Sequence, residues 1–103
     1  MAKKGAKKKK ITKKKTSKKA LKEAPEGKSF WLCDGRIIKN MKELEKALRN
    51  MSKSTYKYHA NDNKNDFSNW VKNVFGEKTL AQKISKSRNK KTAANKIKRK
   101  YNL

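Results

Sequence analysis

Three side chains of this sequence could support nucleophilic or metal chemistry: Cys33, His59 and Asp66. A nucleophilic thiol needs a base within hydrogen-bond distance, and one Cys, one His and a few Asp residues occur by chance in most chains of this size. The sequence shows no His/Cys spacing for zinc, no acidic cluster for magnesium and no glycine-rich phosphate loop. We therefore predict a protein that is not an enzyme and has no catalytic residue, metal or cofactor. Cys33 is expected to pack in a strand, His59 to close a loop over the helix of Trp70, and Asp66 to cap that helix.

The lysines carry a stronger chemical signal. The 103 residues include 32 Lys+Arg against 8 Asp+Glu, a formal net charge of +24, which predicts a polyanionic partner. Only four of the basic residues are Arg, the side chain suited to bidentate contacts with guanine, so we expect phosphate neutralisation with little sequence specificity. The predicted nucleic-acid-binding residues are Lys7, Lys8, Lys9, Lys10, Lys13, Lys14, Lys15, Lys18, Lys19, Arg88, Lys90, Lys91, Lys96, Lys98, Arg99 and Lys100.

Charge and composition divide the chain into three parts. Residues 1–29 carry +11, residues 30–86 carry +6 and residues 87–103 carry +7. The first part has almost no large apolar residues, so burial cannot offset the cost of ordering its backbone. Pro25 and Gly27 interrupt any helix continuing from it. We predict a disordered lysine-rich tail over 1–28, a small globular domain over 29–86 and a basic tail over 87–103.

The middle part predicts a short β-hairpin followed by helices. The apolar run 29–33 and residues 36–38 flank Asp34-Gly35, a tight-turn dipeptide. Asn40 can cap the next helix, with Glu43 completing a capping box. Apolar residues then recur at helical spacing: Met41, Leu44, Ala47, Leu48 and Met51.

A second amphipathic helix begins at Asn65 or Asp66 and ends at Gly76, and Leu80, Ala81 and Ile84 predict another helix after it. The sequence leaves residues 52–64 open between a short helix and an extended segment. The fold class is therefore α+β and mostly helical, with the hairpin packed on three or four short helices between basic tails. The predicted core residues are Phe67, Trp70, Val71, Val74, Phe75 and Leu80.

The C-terminal tail has apolar residues at helical spacing, namely Ala93, Ala94, Ile97 and Tyr101, among seven cations. Repulsion between cations disfavours an isolated helix there, so we expect it to form only on nucleic acid. Four aromatic residues could stack on unpaired bases: Trp31, Tyr56, Tyr58 and Trp70. Trp70, at helical spacing beside Phe67 and Val71, is expected in the core. The sequence does not decide whether Trp31 or Tyr58 faces solvent.

One set of residues resembles a family of small domains of unknown function found largely in archaea and also in bacteria. The set is His59, Asp66-Phe67-x-x-Trp70, Val74-x-Gly76 and Leu80-Ala81, and with Asp34-Gly35 and the Leu44–Leu48 helix it spans about 30–84. The family often has an acidic residue two places after the glycine, where this chain has Lys78. The resemblance implies a fold and no function. The lysine-rich tails are similar only in composition to those of chromatin and ribosomal proteins.

These observations predict non-catalytic, largely sequence-independent nucleic-acid binding by a nucleoid or chromatin-type protein, with DNA favoured over RNA. An RNA or ribosome-associated protein is the close alternative. A protein-interaction module that binds a protein partner through residues 30–86, and is only tethered to nucleic acid by its tails, is the third. The single cysteine favours an intracellular setting, and no apolar run is long enough to predict a membrane partner.

Overall fold

The computed structural model describes residues 18–103 of the chain. A 3₁₀ turn (Lys18–Leu21) is followed by strands β1 (Phe30–Trp31) and β2 (Ile37–Ile38). Five helices complete the domain: α1 (Met41–Asn50), α2 (Lys53–His59), α3 (Asp66–Phe75), α4 (Lys78–Ser85) and α5 (Lys90–Tyr101). The predicted mostly helical α+β class with a short antiparallel hairpin is confirmed, with one more helix than the three or four expected.

The hairpin pairs Phe30 with Ile38 and Trp31 with Ile37. Because successive residues of a strand face opposite sides, Phe30 and Ile38 are buried while Trp31 and Ile37 are exposed. Gly35 has φ +100°, a conformation that glycine adopts without steric cost, and its N–H donates to the carbonyl of Leu32 at 3.0 Å. The turn therefore directs one face of the hairpin onto the helices.

Side-chain caps set where α1 and α3 begin. Asn40 accepts from the N–H of Glu43 at 2.8 Å, and the carboxylate of Glu43 accepts from the N–H of Lys39 at 2.8 Å. At α3 the cap is Asn65, which accepts from Ser68 N–H at 3.0 Å. Asp66 is the first residue of α3 and is not its cap, so its carboxylate is available for a tertiary contact.

Residues 52–64, for which the sequence did not decide between a short helix and an extended segment, are mainly helical. Ser52 caps α2 through the N–H of Thr55, and the helix ends at His59. A bridge between Ala60 and Asn65 then closes the loop that leads into α3. The helix holds Tyr56 and His59 on its buried side, as their three-residue spacing allows.

The core lies between α1, α3, α4 and α5, with the inner face of the hairpin against it. Phe67 is fully buried at its centre, where its ring stacks on Phe30 at a centroid distance of 5.1 Å and on Tyr56 at 5.8 Å. Trp70 is 8 % exposed and donates its indole N–H to the carbonyl of Lys28 at 2.7 Å. Of the other predicted core residues, Val71 and Leu80 are buried, and Val74 and Phe75 pack at its edge.

Residues 87–103 were predicted to be a tail outside the domain, but most of them form helix α5 and pack on the domain. Helix α5 packs on α1 and α4, and Ala93, Ala94 and Ile97 have no exposed surface. Burial of this stripe supplies the free energy that an isolated, strongly cationic helix would lack. The domain therefore extends past residue 86 to the end of α5.

The N-terminal boundary of the domain also differs from the prediction, which ended the tail at residue 28. Ala20 is fully buried in the core, and the N–H of Ala24 donates to the carbonyl of Lys39 at 2.7 Å. Residues 18–28 therefore pack on the domain, and the predicted disorder of residues 1–17 lies outside the described part of the chain. Across residues 18–103, no helix has the length and apolar character to cross a membrane.

Candidate nucleic-acid interface

The fold brings Cys33, His59 and Asp66 together in one hydrogen-bonded chain. The backbone N–H of Cys33 donates to His59 Nε2 at 3.0 Å, and His59 Nδ1 lies 2.9 Å from Asp66 Oδ2. Since Nε2 accepts a hydrogen bond, the ring proton is on Nδ1 and is donated to the carboxylate. Lys64 Nζ approaches the same carboxylate oxygen at 2.9 Å.

This arrangement ties His59 to the backbone of the hairpin turn and to the start of α3. Nε2, the ring nitrogen that would serve as a general base, accepts from the backbone amide of Cys33. Cys33 itself is exposed in the hairpin turn and does not pack in a strand as expected. His59 also packs edge-on against Phe30 at a centroid distance of 5.2 Å, which ties the hairpin to the end of α2. Among residues 18–103, no three His, Cys, Asp or Glu side chains are grouped so that they could hold a metal ion.

Asp66 is the charged member of this cluster. Partial burial acts to raise its pKa, but hydrogen bonds with His59 and Lys64 act more strongly together and hold the pKa of Asp66 below its ordinary value. The carboxylate is therefore ionised at neutral pH and joins α2, α3 and the loop between them.

The predicted basic residues of the N-terminal run fall largely outside the described part of the chain. Lys7, Lys8, Lys9, Lys10, Lys13, Lys14 and Lys15 lie outside it, and for Lys18 and Lys19 only the 3₁₀ backbone is described. The predicted C-terminal cations all lie on α5 or just before it. Lys91, Lys98, Arg99 and Lys100 are exposed on the helix, Lys90 and Lys96 are half-buried, and Arg88 is exposed in the preceding loop.

Some basic residues of the domain are already paired with carboxylates. Arg36 contacts Asp34 at 2.8 Å, and Arg49 pairs with Glu45. Lys100 Nζ lies 3.8 Å from Glu77 Oε1. These pairs neutralise few of the cations, so the surface of the folded domain remains strongly basic.

Three cations that line clefts together with Arg88 were not among the predicted binding residues. Lys53 and Lys57 of α2 and Lys86 at the end of α4 line two open clefts together with Arg88. Lys53 and Lys57 are four residues apart, a spacing that places two side chains on the same face of a helix. The sequence did not decide whether this segment is helical, so the spacing alone did not predict a shared face. Their proximity to residues 86–91 depends on tertiary packing.

Trp31 and Tyr58, whose exposure to solvent the sequence did not decide, are both exposed. Trp31 is 69 % exposed on the outer face of the hairpin, and Tyr58 is 60 % exposed at the end of α2. Lys64 Nζ lies 5.1 Å from the centre of the Tyr58 ring, a cation–π distance. Exposed rings beside cations can stack on unpaired bases.

The described residues define a small, mostly helical, basic domain that begins before the hairpin and ends with α5. The chain matches the "Family of unknown function (DUF5752)" over residues 9–101 and belongs to that family. No curated protein and no solved structure matches the chain. The family match is broader than the predicted resemblance over 30–84, because it includes α5 and part of the lysine-rich N-terminal run.

Proposed function

We propose that this protein binds nucleic acid without catalysis, by neutralising backbone phosphates largely independently of base sequence. The observation that carries the proposal is the charge of the folded domain. Residues 18–103 contain all eight acidic residues and still hold 23 of the 32 basic ones. Because Asp34, Glu45, Asp66 and Glu77 already face cationic partners, most of the lysine charge is free to attract an external polyanion.

Duplex DNA is the first choice of partner, in a nucleoid or chromatin setting. Lysine ammonium groups act as point charges, and the DNA backbone presents a dense, regular row of phosphates. The basic surface of α5, with Lys98, Arg99 and Lys100 exposed in its last turn, offers such charges on a rigid element.

RNA, in a ribosome-associated role, is the second candidate, and a separate observation favours it. Trp31 and Tyr58 expose aromatic rings on the hairpin and on α2, and single-stranded RNA presents unstacked bases to such rings. Each base stacked in this way contributes roughly 1–3 kcal/mol, so the rings would favour unpaired RNA over duplex DNA.

The test measures dissociation constants of the full chain for two unrelated DNA duplexes and for an RNA with a single-stranded loop, over a range of salt. Phosphate neutralisation predicts similar affinity for the two duplexes and a loss of about 10³–10⁵ in affinity between about 50 and 200 mM salt if 6–10 phosphates are contacted. Binding to neither nucleic acid at low salt would overturn the proposal. Preference for the RNA, lost in Trp31→Ala or Tyr58→Ala, would replace DNA by RNA as the partner.

A further inference from the structure

Two open clefts adjoin between α2 and the segment that joins α4 to α5. The larger, of about 800 Å³, is lined by some residues of segment 56–65 and by residues 85–88. The smaller, of about 500 Å³, lies beside the start of α5. Tyr56, Lys57 and Arg88 line both clefts. We call the two clefts together the α2–α5 groove.

The groove is lined by cations and by one carboxylate. Its basic residues are Lys53, Lys57, Lys86, Arg88, Lys90 and Lys91, and its carboxylate is that of Asp62. Within residues 18–103, none of the six cations forms an ion pair. Lys90 Nζ donates to the carbonyl of Arg49 at 3.2 Å, which leaves its positive charge uncompensated. A concave surface lined mainly by charges of one sign, here six cations against one carboxylate, concentrates counter-ions of the other sign.

The N-terminus of α5 opens onto the smaller cleft. Asn89 caps the helix by accepting from Thr92 N–H at 2.8 Å, and its carbonyl accepts from Ala93 N–H at 3.1 Å. The N–H groups of Lys90 and Lys91, in the first turn, have no acceptor within the helix. They lie at the positive end of the dipole of a 12-residue helix, which favours a bound anion.

Tyr56, which lines both clefts, is a second feature of the groove that is independent of the helix N-terminus. The residue is 5 % exposed, and its ring stacks on Phe67 in the core. Its hydroxyl is buried and has no hydrogen-bond partner among residues 18–103. A buried hydroxyl without a partner is unfavourable, so an acceptor supplied from outside the described chain would satisfy it. Burial also raises the pKa of Tyr56, which keeps the hydroxyl protonated and able to donate.

We propose that the α2–α5 groove holds a phosphate of the nucleic-acid backbone at the N-terminus of α5, with Lys57 and Arg88 on either side and the hydroxyl of Tyr56 as a donor. This inference rests on the proposed function and adds to it a specific place on the folded domain. It predicts a contact that does not depend on the N-terminal lysine run.

The test compares three variants of the full chain in binding to one duplex DNA over a range of salt. Lys57→Gln/Arg88→Gln removes two charges from the groove. Lys72→Gln/Lys78→Gln removes two charges from positions that line neither cleft and serves as the matched control. Tyr56→Phe keeps the stacked ring and removes only the hydroxyl.

We expect the groove variant to flatten the slope of log K against log salt by roughly 0.9, since the groove is proposed to hold one phosphate and each phosphate contact contributes about 0.9. The control should keep nearly the full slope. Tyr56→Phe should weaken binding about tenfold with an unchanged slope, because it removes a hydrogen bond to a charged group and no charge. Amide signals of Lys90 and Lys91 should shift when the DNA is added.

Equal losses in the groove and control variants, together with unchanged binding by Tyr56→Phe, would overturn the groove assignment while leaving nucleic-acid binding intact. Absence of binding by the unmodified chain would instead overturn the proposed function. Circular dichroism of each variant checks that the helices are retained. The two substituted groove charges lie on exposed side chains, so that variant remains informative if Tyr56→Phe perturbs the core.

Discussion

His59 is held by two opposed hydrogen bonds, one accepted from a backbone amide and one donated to a carboxylate. This fixes both the ring orientation and the tautomer. Because the backbone N–H of Cys33 makes the contact, the thiol of Cys33 has no part in it. Residue 59 must therefore supply an acceptor for the backbone N–H of residue 33, whereas residue 33 does not need a thiol.

This geometry predicts a large difference between two substitutions. His59→Ala leaves the Cys33 N–H without its acceptor and opens space beside Phe30 and Phe67, so it should reduce the free energy of unfolding by at least about 1–3 kcal/mol. Cys33→Ala should change it by no more than about 0.5 kcal/mol, as expected for an exposed side chain. Urea denaturation followed by circular dichroism measures both. Equal destabilisation by the two variants would show that the thiol is part of the contact.

The contacts of Asp66 predict that the free energy of unfolding decreases at acidic pH. Its pKa is lowered in the folded state, so the unfolded chain binds a proton at higher pH than the folded chain does. The stabilisation that Asp66 contributes is therefore present above its ordinary pKa of 3.8 and is lost as pH falls through the lower, folded value. Asp66→Asn should flatten the acid limb of a plot of unfolding free energy against pH.

Asp62→Asn is the matched control for Asp66→Asn, since Asp62 is exposed and forms no ion pair within residues 18–103. It should leave the acid limb as steep as in the unmodified chain. If the two variants gave the same acid limb, the His59–Asp66–Lys64 contacts would not be a source of acid sensitivity.

At the scale of elements, α5 is the helix that closes the domain. Besides its buried apolar stripe, it forms polar contacts with α1: Arg49 donates to Asn95 Oδ1 at 2.9 Å. At its C-terminal end Tyr101 lies 3.4 Å from a carboxylate oxygen of Glu77, and burial together with that carboxylate raises the pKa of Tyr101 to about 12. The tyrosine is therefore neutral at physiological pH and can remain in the core.

Ile97→Ala tests whether α5 belongs to the cooperative core. Truncating this fully buried side chain should lower the free energy of unfolding by about 2–5 kcal/mol. Lys98→Ala, one residue along on the exposed face, should change it by no more than about 0.5 kcal/mol. Denaturation by urea, followed through the tryptophans, would reveal the difference. A transition unchanged by Ile97→Ala would mean that α5 docks without stabilising the rest.

For the whole molecule, the described domain and the N-terminal lysine run make separable contributions to binding. Deleting residues 1–17 removes nine lysines but keeps the packing of Ala20 and the hydrogen bonds of Ala24 and Lys28 with the domain. The truncated protein should unfold as the full chain does and bind DNA more weakly. Its slope against salt should be shallower by about 0.9 for each phosphate that the deleted lysines neutralise in the full chain.

Deleting residues 1–28 is the contrasting truncation. It also removes Ala20 from the core and the carbonyl that accepts from Trp70, so it should lower the free energy of unfolding as well as the affinity. Thermal melts and binding at several salt concentrations separate the two effects. If the chain lacking 1–17 kept the full salt slope, the N-terminal lysines would not contribute to phosphate binding.

Local sequence signals determined most of the elements. A tight-turn dipeptide predicted the hairpin, Asn40 with Glu43 predicted the start of α1, and Gly76, with φ +70°, ends α3 where the apolar stripe stops. These features depend on backbone conformation and on hydrogen bonds between residues close in sequence, which can be inferred without knowing the fold. The large positive charge, likewise, is a property of composition alone.

Tertiary packing decided the rest. The repulsion among the cations of α5 is visible in the sequence, whereas the burial of Ala93, Ala94 and Ile97 against α1, and the approach of Glu77 to Lys100, arise only when distant segments meet. The same holds for His59, whose partners are 26 and 7 residues away, and for Lys57 and Arg88, which line one groove from different elements. Free energy of burial depends on the surface that a partner covers, and no local pattern specifies that partner.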